Sequence, residues 1–345
     1  MPSISVILPC YNVSRWIDRC LQSLADQTIG VENLELICVD DCSTDDTAEK
    51  IAAWEQKYPE QILLIKSDTN RRIGGARNIG MQYATAEWIA YIDSDDWVEP
   101  MYMEKLYQKA TTGKYDVICC WNVRDTATDL HLLSPEELLT GKADREIFVC
   151  SDEDRKQMIH AQPMKLSAWT KLIRRAFLEE NEIGFVEGLA YEDIIWGELM
   201  HLCVNSTYIL EERLYHYFVN TESTVMSKSA DYQPDMLTVQ SLLYREWDRR
   251  GALAKYHDEV EFEFIYSCLL AFVKLLALRF ETPPYSLFRL LQIFAQEHFP
   301  DYLNNYYFVK EDTPELHRQI AQAVSLPLTK KQFLEFAENV KTIGL

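Results

Sequence analysis

The chain has 345 residues, of which 48% are hydrophobic and 26% charged, a globular composition with enough length for a large core or two domains. Its 54 acidic and 34 basic residues give a formal net charge of -20, which argues against nucleic acid as a partner and against long-range attraction to an anionic membrane. The nine cysteines are an odd number without CxxC spacing, so they indicate reduced thiols rather than a disulfide framework or a zinc site.

The N-terminal segment MPSISVILPCYN lacks the basic start and long apolar run of a secretion signal, and its short apolar run predicts a strand. The longest apolar stretch, residues 265–280, is interrupted by Lys274 and Arg279 and is too short for a comfortable membrane span. We therefore expect a cytoplasmic chain. Peripheral contact with the inner face of a membrane is left open.

Short apolar runs alternate with helically spaced apolar residues through the first part of the chain. The predicted strands are residues 4–8, 34–39, 62–65, 88–92 and, more weakly patterned, 117–121. This alternation is typical of a doubly wound α/β fold with a mostly parallel sheet and helices on both faces. We expect a ligand site where the polar loops after the strands converge, at residues 9–12, 40–45, 70–78 and 93–96.

Beyond residue 227 the apolar residues follow helical spacing, which predicts a helical C-terminal region over residues 227–345. Pro283-Pro284 predicts a break between two of its helices. The preceding residues 1–226 are assigned to one α/β domain. Self-association through the C-terminal helices is left open.

Several motifs occur in a fixed order along the chain: SVILPCYN at 5–12, ICVDDCSTDDT at 37–47, GGARNIG at 74–80, YIDSDDW at 91–97, WTKLIRR at 169–175 and YEDI at 191–194. In order and spacing they resemble the family 2 glycosyltransferases over about residues 3–225. The resemblance implies a GT-A fold, a nucleotide-diphosphate-sugar donor, Mn²⁺ or Mg²⁺ as cofactor, and inversion at the anomeric carbon. On this basis residues 1–122 form the nucleotide-sugar half of the domain and residues 123–226 the acceptor half.

Asp93-Ser94-Asp95 follows an apolar strand and resembles the DXD motif of that family. Alternate carboxylates at a strand end can face one point, where a hard cation takes oxygen ligands and bridges two phosphates. The resemblance implies that Asp95 is the metal ligand and that Asp93 faces the ribose or the water shell of the metal, with Ser94 among the donor-binding residues. The alternative is that these acidic residues only cap the strand and the following helix.

The nucleobase requires a pocket of its own. Tyr11 and Asp40 resemble the family positions that stack on the base and accept a hydrogen bond from its N–H edge. Pro9 is expected to turn the end of the first strand toward this pocket. The alternative for Tyr11 is a half-buried core tyrosine.

The segment NRRIGGARN at residues 70–78 concentrates arginines and glycines in an otherwise acidic protein. It predicts diphosphate binding by Asn70, Arg71 and Arg77, with the glycines allowing close approach of the backbone. The sequence does not decide between Arg71 and Arg72. Arg77 could equally brace the loop.

Inverting transfer requires a base that removes the proton of the attacking hydroxyl. Glu192-Asp193 resembles the ED motif of the family, in which the aspartate is the usual base, so we assign the base to Asp193 and place Glu192 and Trp169 on the acceptor side. The alternative is an amphipathic helix whose acidic first turn suits the macrodipole. By the same resemblance, His216 is a weaker candidate for a contact with the metal or the diphosphate, and Ser223 and Thr224 are weaker candidates for contacts with the phosphates.

The expected reaction is transfer of a sugar, with UDP the expected nucleotide, to a hydroxyl of a saccharide or glycolipid during cell-surface polysaccharide or glycolipid assembly. A nucleotidyltransferase also uses a doubly wound sheet and a carboxylate-bound metal, but a glycine-rich, basic loop is expected where this chain has PCYN. A non-catalytic nucleotide-sugar-binding module is the third alternative. The presence of both Asp95 and Asp193 disfavours it.

Overall fold

The computed structural model describes residues 2–126, 128–219, 232–310 and 313–343. The chain forms two compact units, the first comprising Met1–Asp154 and Pro163–Met226, the second Arg155–Gln162 and Ser227–Leu345. The sequence pattern gives no sign that the short segment Arg155–Gln162 belongs with the second unit.

The first unit contains one large sheet. Its strands are β1 (Ile4–Cys10), β2 (Leu34–Asp40), β3 (Ile62–Lys66), β4 (Trp88–Tyr91), β5 (Trp97–Val98), β6 (Val117–Asp125), β7 (Arg145–Phe148), β8 (Lys171–Arg174) and β9 (Ser206–Phe218). Their order across the sheet is β3-β2-β1-β4-β8-β6-β9-β5, and β7 also pairs with β9. All seven residues of β1 are buried, as expected for a central strand covered on both faces.

The predicted α/β fold is confirmed, and its first four strands are parallel as the alternation predicts. The rest of the sheet is mixed. Strand β8 runs antiparallel to both β4 and β6, and β5 and β7 run antiparallel to β9. Antiparallel pairing does not require the crossover helix that a parallel neighbour needs, so the strict alternation of strand and helix patterns is lost after β4.

Helices flank this sheet and connect its strands. They are α1 (Ile17–Ala25), α2 (Thr47–Lys57), α3 (Arg72–Tyr83), α4 (Tyr102–Thr112), α5 (Pro135–Leu138), α7 (Arg175–Glu180) and α8 (Glu192–Cys203). Helix α6 (Asp152–Ala161) lies between β7 and β8 in the chain, and most of its residues belong to the second unit. Helix α1 buries Ile17, Cys20, Leu21 and Leu24, the helically spaced apolar face expected from the sequence. Helix α3 lies close to β1, because a Cβ at Gly80 would be 2.4 Å from Cγ2 of Ile7.

The second unit is helical in its described part, and the predicted helical C-terminal region is confirmed. Its helices are α9 (Asp235–Arg249), α10 (Ala252–Lys255), α11 (His257–Glu263), α12 (Ala271–Arg279), α13 (Tyr285–His298), α14 (Tyr306–Lys310), α15 (Glu315–Ser325) and α16 (Lys330–Ile343). A π-helical stretch, Phe264–Leu270, joins α11 to α12. The predicted break at Pro283-Pro284 separates α12 from α13. Within the described residues, no helix has the length and apolar character needed to cross a bilayer.

Candidate functional site

Three polar loops meet at the carboxyl edge of the parallel strands. The ends of β1 and β2 are level, because Cys10 pairs with Asp40. Ile7 pairs with Tyr91 at the end of β4, so the acidic loop that follows begins beside Pro9. The Ser94 hydroxyl donates a 2.7 Å hydrogen bond to the carbonyl oxygen of Pro9. This hydrogen bond joins the loop after β4 to the end of β1. The Ser94 hydroxyl therefore already has a partner within the fold.

Tyr11 stands out from this edge, with 50% of its surface exposed. The next residue, Asn12, is fixed on both sides: its N–H donates to Ser43 Oγ at 2.9 Å, and its Oδ1 accepts from the Thr44 N–H at 2.8 Å. Asp40 is buried and accepts from the Ser43 N–H at 3.2 Å. A rigid loop thus presents an exposed aromatic ring, and burial of Tyr11 in the core is wrong.

The loop before α3 is held through its backbone. Both carboxylate oxygens of Asp41 accept from the N–H of Arg71, at 2.9 and 3.0 Å. Asn70 donates to the carbonyl oxygen of Asp41 and accepts from the Arg72 N–H, so its amide stabilises the start of the helix. Burial raises the pKa of Asp41, although the hydrogen bond from the Arg71 backbone lowers it. The Arg71 side chain is about half exposed and has Glu187 only at 3.6 Å, a weakly held surface pair.

Arg77 is buried, with 2% of its surface exposed. Its Nη2 donates to Asp93 Oδ1 at 2.8 Å and its Nη1 to Glu192 Oε1 at 2.9 Å. Burial alone would lower the pKa of Arg77, but these two carboxylates outweigh it and the guanidinium stays charged. The geometry therefore supports the bracing role of Arg77 rather than direct diphosphate binding. We call Arg77, Asp93 and Glu192 the ion-pair cluster.

The ion-pair cluster brings the acidic loop after β4 next to the start of α8. Tyr191, the residue before the helix, has a left-handed backbone with φ of 65°, and the helix begins at Glu192. Glu192, expected on the acceptor side, instead directs its carboxylate to Arg77, and burial raises its pKa to about 7. Burial also raises the pKa of Asp193, opposed by Arg77 and reinforced by Asp93. A carboxylate with a raised pKa beside a fixed cation is suited to accept a proton.

Gly74 on α3 lies against the segment that leads to α8. A Cβ at this position would be 2.5 Å from the carbonyl oxygen of Val186 and 3.1 Å from Cγ of Glu192. Gly74→Ala is therefore expected to destabilise the fold by about 1–3 kcal/mol, the cost of forcing extra volume into a packed site. Urea unfolding of the purified variants measures this change.

Gly184→Ala is the matched control, since its Cβ would be 3.5 Å from the Asn78 side chain, an ordinary contact. The unfolding free energy of Gly184→Ala should remain within about 0.5 kcal/mol of the parent. Equal stability of Gly74→Ala and the parent would show that α3 and the segment before α8 do not approach as closely as described.

Tyr215, which the sequence analysis did not select, holds the acidic loop from β9. Its hydroxyl donates to Asp96 Oδ2 at 2.6 Å and accepts from the Asp93 N–H at 3.2 Å. Burial, with the carboxylates of Asp95 and Asp93 nearby, raises the pKa of Asp96 well above its usual range. The signal was present in the alternation YHYF, which places Tyr215 and Tyr217 on one face of the strand and His216 on the other.

Trp169, predicted on the acceptor side, stacks on two of these β9 side chains. Its ring centroid lies 5.0 Å from that of Tyr215 and 5.5 Å from that of Tyr217, at interplanar angles of 18° and 22°. The indole is only partly buried. Trp169 thus packs beside the acidic loop, and a contact with an acceptor stays a prediction.

The family is decided by the comparison of this sequence with protein-family models. The model described as Glycosyl transferase family 2 matches residues 5–181, more than half of the chain. The chain belongs to glycosyl transferase family 2. The matched residues include the loops after β1, β2 and β4 together with Trp169, whereas Glu192, Asp193 and Tyr215 lie beyond the matched range.

Three known proteins illustrate the similarity of this family 2 glycosyltransferase. The uncharacterized glycosyltransferase YibD of Escherichia coli (strain K12) is 28% identical over 77% of this chain and 78% of its own length. The putative glycosyltransferase EpsH of Bacillus subtilis (strain 168) is 31% identical over 65% of this chain and 63% of its own, so the match spans less than two thirds of EpsH. The crystal structure of Staphylococcus aureus TarS 1-349 in complex with UDP-GlcNAc superposes with a TM-score of 0.70 at 21% identity, covering 99% of this chain and 92% of that one. The last match supports the GT-A fold.

The end of β4 in this glycosyltransferase offers the donor set that a hard divalent cation requires. Asp93 and Asp95 are partly exposed carboxylates separated by one residue, at the edge where the strands end. Their loop is fixed at several points, since Arg19 Nη2 donates to the carbonyl oxygen of Asp95 at 2.7 Å and Tyr215 holds Asp93. The contact of Arg19 is a second feature that the sequence analysis did not predict. The residues present therefore fit Mg²⁺ or Mn²⁺.

The structure groups His216 with Asp125 and His131 rather than with Asp95, and both of its ring nitrogens already have carboxylate partners. Its ring is buried, Nε2 lies 2.8 Å from Glu99 Oε1, and Nδ1 lies 2.9 Å from Asp125 Oδ2. One of these hydrogen bonds would have to break before either nitrogen could bind a cation. The imidazole also stacks on the indole of Trp97, with the two ring centroids 4.7 Å apart, so His216 packs against β5. The two candidate phosphate contacts Ser223 and Thr224 lie outside the described residues.

Proposed function

We propose that this enzyme transfers a sugar, with inversion, from a UDP-sugar to a hydroxyl of a saccharide or glycolipid acceptor, in a reaction that depends on Mn²⁺ or Mg²⁺. The observation that carries the proposal is the ion-pair cluster. A single buried guanidinium lies within hydrogen-bond distance of Asp93, in the acidic loop, and of Glu192, next to the candidate base. Carboxylates suited to hold a donor diphosphate through a cation are thus adjacent to a carboxylate suited to deprotonate an acceptor.

The residue roles follow from this placement. Tyr11 offers an exposed ring for a nucleobase, and Asp40 lies at the level of the β1 end behind it. Asp95 would hold the cation, with Asp93 facing the ribose or the water shell of the metal; the cation, when bound, supplies Lewis-acid stabilisation of the leaving diphosphate. Arg71 is the exposed arginine closest in sequence to Asn70 and is our candidate for a direct phosphate contact. Asp193 would take the proton of the attacking hydroxyl.

The choice of donor and acceptor is supported by the relatives. The structurally similar TarS is solved in complex with UDP-GlcNAc, and TarS is named a poly(ribitol-phosphate) beta-N-acetylglucosaminyltransferase. We therefore place UDP-N-acetylhexosamines and UDP-hexoses first among donors, and cell-surface polymers among acceptors. The proposed location is the cytoplasmic side of the membrane at which such polymers are assembled.

UDP is expected to bind at least tenfold more weakly in EDTA than in Mn²⁺, because a protein with a formal net charge of -20 and few exposed arginines at the site cannot alone neutralise a diphosphate. Isothermal titration of UDP into the full chain under both conditions measures the difference. Equal affinities would contradict the metal dependence. A panel of nucleotide sugars, followed by release of UDP, would then identify the donor, whereas pyrophosphate release from a nucleoside triphosphate would identify a nucleotidyltransferase instead.

Tyr11→Ala is expected to weaken UDP binding by about 1–2 kcal/mol, the scale of one lost contact between an aromatic side chain and a base. The Mn²⁺ requirement should not change, because Tyr11 lies on the loop after β1 and the carboxylates follow β4. Titration of UDP with and without Mn²⁺ tests both statements. Tyr11→Phe is the matched control and should bind nearly as the parent does. An unchanged dissociation constant in Tyr11→Ala would place the nucleobase elsewhere.

A further inference from the structure

The start of α11, in the second unit, carries three side chains of types that bind metals. His257, Asp258 and Glu261 occupy positions i, i+1 and i+4 of the helix. One ligand atom from each can be chosen so that all three lie within 4.8 Å of one another. The Nδ1 of His257 is 3.8 Å from Asp258 Oδ1, and both side chains are more than half exposed. Two exposed side chains thus lie close to a third that is buried.

Glu261 is the fixed member, with 3% of its surface exposed. Its Oε2 accepts from Asn305 Nδ2 at 2.9 Å, and the same amide nitrogen donates to the carbonyl oxygen of Asp258 at 2.8 Å. Its Oε1 is also buried, yet it has no hydrogen-bond partner within the described part of the chain. Burying a carboxylate oxygen without a partner is costly, so this environment favours a ligand for the atom.

The other buried glutamates of α11 do not share this feature. Glu259 accepts from the Tyr307 hydroxyl at 2.6 Å, and Glu263 accepts from Gln162 Nε2 at 2.7 Å. An acidic first turn also favours the helix dipole, which accounts for the exposed Asp258. It does not account for Glu261, a full turn into the helix and buried. A cation near this group would offset the like charges of the Asp258 and Glu261 carboxylates.

We propose that His257, Asp258 and Glu261 form a second divalent-cation site, separate from the one proposed for the sugar donor, with Zn²⁺ as the preferred ion. An imidazole nitrogen with two carboxylate oxygens is a common zinc donor set, and a water completes the tetrahedron. Ligand atoms about 3.3 Å apart satisfy Zn²⁺ bonds of about 2.0–2.2 Å, so the exposed His257 and Asp258 need only small rotations. The bound ion offsets the negative charges of Asp258 and Glu261 and stabilises the second unit.

Titration of Zn²⁺ into the metal-free full chain, without nucleotide, tests the proposal by calorimetry. We expect one site, and a melting temperature that rises with Zn²⁺ concentration. Glu261→Gln keeps the shape and the hydrogen bond from Asn305 but removes the charge, and His257→Asn removes the nitrogen ligand at an exposed position. Each should weaken Zn²⁺ binding by at least tenfold and abolish the rise in melting temperature. Glu297→Gln, an exposed carboxylate on α13, is the control and should behave as the parent.

Several outcomes would overturn the proposal. Zn²⁺ that fails to bind the parent, or binds both variants as tightly as the parent, would exclude this site. A sulfur-to-metal charge-transfer band on Co²⁺ substitution would assign the ion to cysteine thiolates instead. If Glu261→Gln does not fold, His257→Asn carries the test alone. Mn²⁺ binding in the presence of UDP should survive in both variants and be lost in Asp95→Asn, so the failure of one metal site is distinguishable from the failure of the other.

Discussion

Replacing Asp193 with asparagine should lower sugar transfer by about 10²–10⁴-fold, the usual contribution of a positioned general base, while UDP affinity in Mn²⁺ changes little. The amide keeps the shape of the side chain and cannot take the proton of the acceptor hydroxyl. Because burial raises the pKa of Asp193, the rate of the parent should fall with decreasing pH at values above those of an ordinary aspartate. This acidic limb should disappear from the residual activity of the variant. Single-turnover transfer rates across pH and UDP titrations measure both effects.

Glu192→Gln is the comparison that separates a base from a brace. Glutamine keeps the shape of Glu192, and its amide oxygen can still accept the hydrogen bond from Arg77. Arg77 would retain its hydrogen bond to Asp93. We expect a loss of about tenfold or less in transfer. A severe defect in Glu192→Gln with a mild one in Asp193→Asn would exchange the two roles, and loss of UDP binding in Asp193→Asn would remove that residue from the acceptor side.

Asp95→Asn should lower transfer by about 10²–10³-fold and make the residual rate insensitive to Mn²⁺, because an electrostatic contact to the leaving group contributes on that scale. One carboxylate oxygen is exchanged for an amide of the same shape. The backbone carbonyl of Asp95, which accepts from Arg19, is unaffected, so the loop should keep its conformation. Transfer rates with increasing Mn²⁺, together with UDP titrations, measure the effect.

Ser94→Ala is the control for Asp95→Asn, since the Ser94 hydroxyl bonds the carbonyl oxygen of Pro9 inside the fold. Ser94→Ala should lower the free energy of unfolding, because this hydrogen bond is lost, and leave the Mn²⁺ dependence of transfer intact. Wild-type turnover in Asp95→Asn, or a retained Mn²⁺ response, would show that the cation is held by other residues.

The sequence predicts those parts of the site that directly follow a strand in the chain. The polar loops containing Tyr11, Asp40 and Asp95 each follow an apolar strand of a parallel series, and such strands end at one edge. The spacing of apolar residues is sufficient to predict that these loops converge. The same reasoning predicts the helical C-terminal unit and the break at Pro283-Pro284.

The contacts between distant residues could not be predicted from local patterns. The glycines and arginines around Arg77 predict a contact with the diphosphate. Its guanidinium instead donates to Asp93 and to Glu192, which lies 115 positions later in the chain. The family resemblance makes His216 a candidate for the metal because of its place late in the domain. Its two carboxylate partners, Glu99 and Asp125, come from the end of β5 and from β6, far along the chain. Pairings of this kind depend on the order of strands in the sheet. That order departs from a simple parallel series at β8, which pairs antiparallel with β4.

The pairing of β5 with β9 has a consequence for how the protein is made. At about 5–20 residues per second, a ribosome needs roughly 6–23 seconds to synthesise the 115 residues between Arg77 and Glu192. During that interval the nascent chain holds a guanidinium without one of its carboxylates and a β5 edge without Trp97's partner His216. The amino-terminal 122 residues therefore cannot complete the sheet on their own. A fragment intended for isolated expression should therefore extend through the last residue of β9, Phe218.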